Sequence, residues 1–362
     1  MGLDGQVGIF GIGVHLPPDV RKNDWWPSET VRRWQEKAAS GVLSGRPPED
    51  AALISDGVRT VMQAMLETRD DPFKGAVERR VMGKGVVTSD IEAAACRDAL
   101  TRAGIEAGQV GLLLTNSQLN DYLCVPNAPV VHRKLGLSSQ CLALDTDAAC
   151  NSFLTQFALA EQMIRGGAVQ YALLVQASGF LHLARQEDQH SAWFGDGATA
   201  VVVGPVSGNH GILGRAHRTD GSLHDALVTG CPGARWHDGE KLTLYIENHG
   251  SARTMLLKVA DMGAEVVNEA LGRAGVSREQ VGFYASHQAT SWFRKATQAF
   301  IGLPNAKSCD TFAWTGSLGP ANIPLVLAMG EREGLLRTDD VVAMYTGGSG
   351  ITWSSLILRW GR

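Results

Sequence analysis

No two of the six cysteines stand in a CxxC spacing: Cys96, Cys124, Cys141, Cys150, Cys231 and Cys309 are scattered along 362 residues. That excludes a zinc knuckle, and so few thiols in so long a chain do not build a disulfide framework. Long apolar runs are missing as well. No window approaches the roughly 18 consecutive apolar residues of a membrane span, and the start, MGLDGQVGIFGIGVHLPPDV, has no basic leader region. The expectation is a cytoplasmic, unprocessed protein. Charge is sparse and nearly balanced, 33 Lys and Arg against 37 Asp and Glu with a net charge of −4, so no general field favours nucleic acid or a membrane surface. GxxxxGK[ST] is absent, and Gly11-Ile-Gly13 lacks the third glycine of a dinucleotide fingerprint. Neither a bound nucleotide, a metal nor another cofactor is expected.

What the chain does have is apolar material, 44% of its residues, and an internal repeat. Ala99 to Gly111 (ALTRAGIEAGQVG) and Ala270 to Gly282 (ALGRAGVSREQVG) share eight of thirteen positions at an offset of 171. Each copy reads as a helix closed by a glycine, a short loop and a buried strand, because Gly104 and Gly275 suit the left-handed cap. FGDGATAVVVG at Phe194 and TGGSGITWSSLILRW at Thr346 echo one another as glycine turns feeding strands. Strands read at 140–145, 171–178 and 341–345 alternate with helices such as 151–165, which predicts mainly parallel sheets covered by helices. The expected units are residues 1–205 and 206–362, each with its own sheet. Residues 23–75, with Trp25, Trp26 and Trp34, read as a helical insertion, either a surface excursion or a lid over a pocket.

Cys150, in DTDAACNSFLTQF, falls where a buried strand gives way to an amphipathic helix. Unpaired amides and the helix dipole at such a place favour a thiolate, and hence a nucleophile; Asp145 and Asp147 oppose this unless they are turned away as caps. The plainer reading is a small core residue. His287 ends the strand of the second repeat, at the position of Asn116 in the first, where parallel sheets present ligands; it is either a catalyst or a structural hydrogen bonder. His182, His190 and His249 lack comparable context. Gly347-Gly348-Ser349-Gly350 is either a tight turn or a backbone aimed at an oxyanion.

The ordered motifs GIFGIGVHLP, VPNAPVVHRKLGL, DAACNSFL, WFGDGATAVVV, HQAT, GSLGPANIPLVLA and GGSGITW resemble the thiolase superfamily, and within it the β-ketoacyl-acyl carrier protein synthase III (ketosynthase III) family. The resemblance implies an α/β thiolase-like fold: two duplicated βαβαβαββ halves in a five-layered αβαβα arrangement, in a homodimer. It implies that Cys150 accepts an acyl group from an acyl-CoA or acyl-phosphopantetheine thioester, that the amides of Cys150 and Ser349 form an oxyanion hole, and that Phe194 lines the acyl pocket. The departures from the family pattern are in the third catalytic position and the coenzyme A clamp. Ser317 stands where the family has its catalytic asparagine, with Asn322 expected to face elsewhere. Arg69 and Phe73 replace the clamp residues ahead of Gly75 to Arg80, Asp188 or Gln189 replaces an arginine, Thr290 replaces the last residue of HQAN, and Trp292 replaces an arginine.

With Cys and His kept and Asn lost, the expected function is acyl transfer in specialised, polyketide-type metabolism. Cys150 takes the acyl group from a carrier protein or coenzyme A, and His287 acts as general base for a small-molecule hydroxyl or amine acceptor. The alternative is carbon–carbon bond formation by decarboxylative Claisen condensation, with Ser317 or water in place of Asn; a third reading is a non-catalytic partner of a synthase. Thr290 and Trp292 are expected to contact substrate. Arg294 and Lys295, with Arg32 and Arg33 as a second group, are either a docking patch for an acidic acyl carrier protein or solvated helix charges.

Overall fold

The computed structural model describes residues 6–38, 41–45, 47, 54–238 and 241–362, so part of the segment read as an insertion lies outside the described residues. The first half runs β1 (Gln6–His15), β2 (Asp19–Lys22), α1 (Ser28–Lys37), α2 (Asp56–Glu67), β3 (Glu78–Val81), α3 (Thr88–Ala103), β4 (Val110–Ser117), α4 (Asn127–Leu135), β5 (Leu142–Asp145), α5 (Ser152–Arg165), β6 (Tyr171–Ser178), α6 (Phe180–Leu183) and β7 (Gly197–Val206). The second runs β8 (Gly211–Thr219), β9 (Val228–Gly230), β10 (Thr243–Tyr245), α7 (His249–Leu257), α8 (Val259–Ala274), β11 (Val281–Ser286), α9 (Phe293–Ile301), α10 (Phe312–Thr315), α11 (Asn322–Arg332), β12 (Val341–Gly348) and β13 (Thr352–Arg359).

The strands form a sheet of order β1-β7-β6-β4-β5 and a second of order β11-β12-β13-β8. Read from β8, the second sheet repeats the first, with β5 as the extra edge. The repeated sequence motif is the reason. In each copy the helix ends at a left-handed glycine (Gly104 φ +67°, Gly275 φ +64°), a 3-10 turn follows, and the Gln of that turn (Gln109, Gln280) bonds back to the amide before it. The sheets are mixed rather than mainly parallel. Among the described strands only β4–β5, β4–β6 and β11–β12 run parallel; β13 returns antiparallel because the turn between Gly348 and Thr352 is far too short for a parallel crossover, and β7 also pairs antiparallel with β6 and β1.

Five layers result. Helices α5 and α11 lie between the sheets, where Phe153, Phe157, Ile164, Val326 and Leu327 share a core with strands of both. Complete burial of such a side chain contributes roughly 1.5–3 kcal/mol, which ties the two sheets together through this middle layer. Helices α3 and α4 cover the outside of the first sheet, and α8 and α9 that of the second. Gly13 and Gly214 show how closely the layers approach: a Cβ on Gly13 would lie 2.0 Å from the Ala95 carbonyl oxygen, and one on Gly214 2.4 Å from that of Ala270. The inserted helices pack rather than dangle. Trp26, Trp34 and Phe73 form their own cluster with Ala192, while Ser55, capping α2, donates to Asp261 of α8 at 2.5 Å. Among the described residues no helix is long and apolar enough to cross a membrane.

Candidate active site

After β5 the chain makes a 3-10 turn, Ala149–Asn151, that leads directly into α5 and carries Cys150. Ala149 has φ +49°, a left-handed conformation that costs a non-glycine residue about 1–3 kcal/mol. Surrounding bonds hold it there. Asp147 accepts from the Ala149 amide at 2.7 Å and from Asn116 Nδ2 at 3.1 Å, and Ser152 Oγ accepts from the Ala148 amide at 2.9 Å. On the other side Asn151 Nδ2 donates to Ser354 Oγ at 2.8 Å and Thr352 Oγ1 at 3.1 Å, tying the turn to the second sheet. Of the two acids weighed from sequence, Asp145 is turned away: it accepts from the Asn127 and Ala128 amides at the start of α4. Asp147 is not. Burial first, and the Asp147 charge second, push the Cys150 thiol up to about 12, so the expected resting thiolate is corrected to a thiol.

The glycine loop after β12 closes on this turn. A Cβ on Gly348 would lie 2.6 Å from the Ala148 carbonyl oxygen and 3.3 Å from the Cys150 amide nitrogen, so only glycine permits the approach. Cys150 and Ser349 thereby share one cavity of about 1010 Å³, solvent at its mouth included. Phe194, Thr290, His287 and Ser317 line it too. Phe194 and Ser317 meet through paired backbones, Gly195 N–H donating to the Ser317 carbonyl at 3.1 Å and Ser317 N–H to that of Trp193 at 2.7 Å.

Asn322 corrects a second expectation. It is fully buried and turns inward, because the 3-10 turn Gly319–Ala321 places it at the start of α11 with its amide over Ser317. Its Oδ1 accepts from the Leu318 amide at 3.0 Å, and its Nδ2 lies 2.9 Å from His287 Nδ1 and 3.2 Å from Ser317 Oγ. The Leu318 amide can only donate, which fixes the Asn322 orientation; Nδ2 therefore faces His287, and Nδ1 of His287 must accept. The neutral ring carries its proton on Nε2. Burial keeps it neutral, pulling its pKa down to about 4, with the Gly319 backbone opposing. Ser317 Oγ accepts from Asn322 and, at 3.4 Å, from the Gly319 amide, leaving its own proton free to donate.

Other expectations fare differently. Trp292 is buried in the core of the second half, stacked on Phe293, and does not line the cavity. Arg294 is no unpaired cation: Asp310 binds it through two bonds of 2.5 and 2.9 Å, and Gln298 through a third of 2.7 Å. Lys295, Arg32 and Arg33 are exposed. Phe73 is packed inside the tryptophan cluster, and Gln189 donates to the Pro72 carbonyl. Val42 and Leu43, from the segment read as a surface excursion or a lid, line the cavity. Met255 and Leu256 of α7 and His190, which were not read from sequence as site residues, line it as well. A signal existed only for Asn322, a lone amide in the apolar run GPANIPLVLA.

Residues 144–221 match the family model 3-oxoacyl-[acyl-carrier-protein (ACP)] synthase III, and residues 271–360 its C-terminal counterpart. The β-ketoacyl-[acyl-carrier-protein] synthase III of Geobacillus kaustophilus is 33% identical over 305 residues, spanning 83% of this chain and 93% of the relative. That of Thiobacillus denitrificans is 31% identical over 304 residues, spanning 83% and 93%. Among solved structures, 3-oxoacyl-(acyl carrier protein) synthase III from Pseudomonas aeruginosa PAO1 is similar with a TM-score of 0.77 at 26% identity, covering 99% of each chain. OleA from Xanthomonas campestris shares the fold, with a TM-score of 0.77 at 21% identity over 99% of this chain and 100% of that one.

Proposed function

The chain belongs to the β-ketoacyl-acyl carrier protein synthase III family of condensing enzymes, and from that premise we propose that it forms carbon–carbon bonds by decarboxylative Claisen condensation. Cys150 exchanges its thiol with an acyl thioester of coenzyme A or of an acyl carrier protein; the thiol proton leaves with the displaced thiol. A malonyl-type thioester then enters. Its carboxylate departs as CO2, the electron pair passes into the enolate, and the α-carbon attacks the acyl carbonyl. The new carbon–carbon bond forms as the bond to the Cys150 sulfur breaks, and the sulfur takes up a proton. His287 Nε2–H and the Ser317 hydroxyl are the two donors to the enolate oxygen. The amides of Cys150 and Ser349 receive the oxyanion of the acyl group.

The observation that carries this reading is the bond sequence from Leu318 through Asn322 to His287. It supplies a donor where condensation needs one. Transfer to a hydroxyl or amine needs a lone pair at His287 Nε2, and that position is occupied by the proton; this argues against His287 as general base and for the condensing alternative. Removing one donor of this kind typically costs about 2.7–4 kcal/mol of transition-state stabilisation, which makes the Ser317 hydroxyl more than an incidental neighbour.

The test is intact-mass analysis followed by turnover of a carboxyl-labelled malonyl thioester. A mass gain lost in Cys150→Ala, with labelled CO2 and a β-ketoacyl product in the wild type, is expected. Malonyl thioester left intact while the acyl group passes to an alcohol or amine would overturn the proposal, and the absence of any acyl-enzyme would point to a non-catalytic partner. We further assign a homodimer through the edge strand β5, whose Leu142 and Leu144 are each 44% exposed. An apolar unpaired edge of this kind invites another strand.

A further inference from the structure

We infer that the acyl group taken up by Cys150 carries a hydroxyl, and that His190 Nδ1 accepts its hydrogen bond in the cavity wall. The inference rests on Cys150 being the acyl-accepting thiol. His190 lies in the turn Gln189–Ala192, immediately before Trp193 and Phe194, and lines the same cavity as Cys150. Its Nε2 is 3.1 Å from the Leu244 carbonyl oxygen of β10. A carbonyl only accepts, so Nε2 holds the proton and, in the neutral ring, Nδ1 holds a lone pair. Burial lowers the ring's affinity for a second proton, the nearby Asp188 opposing. Among the described residues no donor reaches Nδ1.

Nδ1 is therefore the polar atom that His190 has left to offer to a cavity whose lining also includes Phe194, Leu227 and Ile246. The other polar groups of the cavity do not make the same demand. His287 and Ser317 accept from Asn322 and offer protons to the cavity, so they call for an acceptor rather than a donor, and the unpartnered Thr290 hydroxyl can donate or accept, so it discriminates little. An atom that can only accept requires a ligand that donates. A site built around such a bond disfavours the analogue lacking it, because the polar atom is then left unpaired against carbon.

The experiment measures the rate of Cys150 acylation by intact mass. Probes are octanoyl and 3-, 5-, 7- and 8-hydroxyoctanoyl groups, each on N-acetylcysteamine and on pantetheine. At least one hydroxylated isomer should acylate the wild type roughly tenfold faster than octanoyl, the size of one neutral hydrogen bond. His190→Gln, whose Nε2–H can serve the Leu244 carbonyl while its acceptor, Oε1, is moved away from the Nδ1 position, should bring that ratio down toward one. His190→Asn, with an acceptor near the Nδ1 position, should retain part of it, and circular dichroism checks both folds. Equal acylation by all five groups in the wild type overturns the inference while leaving the acyl-enzyme reading intact. A His190→Gln effect that follows the thiol carrier instead of the hydroxyl assigns Nδ1 to pantetheine amides and also overturns it. No mass gain with any probe sinks the acyl-enzyme reading itself, and the inference with it.

Discussion

Asn322 stands five residues beyond Ser317, yet its amide reaches both Ser317 Oγ and His287 Nδ1. Asn322 is thus a positioning residue: it orients two donors and, on the proposed mechanism, touches no substrate. Because His287 has its pKa pulled down to about 4, the ring stays neutral from pH 5 to 8, and the rate of CO2 release should show no titration of His287 there. Asn322→Asp reverses the logic. A carboxylate beside Nδ1 draws the proton to that nitrogen and raises the ring's pKa. Below the new pKa the doubly protonated ring still donates from Nε2; above it Nε2 becomes a lone pair and the donor is lost. Decarboxylation by Asn322→Asp should therefore survive at low pH and fall as pH rises, on the order of 10²-fold, in a pH–rate profile of labelled CO2 release. A profile as flat as the wild type's would show that the amide orientation does not set the tautomer.

At the level of elements, the turn that holds Cys150 and the glycines that let layers touch are two answers to crowding. The turn is braced from both sheets, by Asp147 and Asn116 on one side and Thr352 and Ser354 on the other. The glycines admit what no side chain would. Gly13 meets the backbone of α3 and not a flexible side-chain tip, with the Ala95 carbonyl oxygen at 2.0 Å and the Ala99 amide at 2.3 Å from any added Cβ. Gly13→Ala should force β1 and α3 apart and lower unfolding free energy by about 1–3 kcal/mol or more, read from denaturant melts. Gly272→Ala, whose Cβ would meet nothing within 4 Å on an exposed helix face, should match or slightly exceed wild-type stability and serves as the control.

For the whole molecule, the two sheets share one strand order, and the extra edge β5 breaks their equivalence. Two charges on that edge should repel a second copy: Leu142→Lys with Leu144→Lys is expected to shift the proposed dimer toward monomer in sedimentation velocity, while each chain keeps its far-ultraviolet spectrum. A wild type that sediments as a monomer would remove β5 from consideration as an interface.

Two kinds of information were legible at different depths. The repeat at Ala99 and Ala270, the glycine caps and the ordered motifs carry the duplicated α/β plan, because local periodicity and cap chemistry act over a few residues and are written in order along the chain. Cys150 and His287 could be picked out for the same reason, each standing at an element boundary, whereas Phe194 and Ser317 stood out only through the resemblance to the ketosynthase III family. Which atoms face one another could not. Asn322 turning to His287, Trp292 pointing into the core, Arg294 bound by Asp310 and His190 reaching the cavity all depend on packing between segments well separated along the chain. Spacing along the chain carries no such distance. Burial and hydrogen-bond geometry decide it, and with it whether His287 presents a proton or a lone pair.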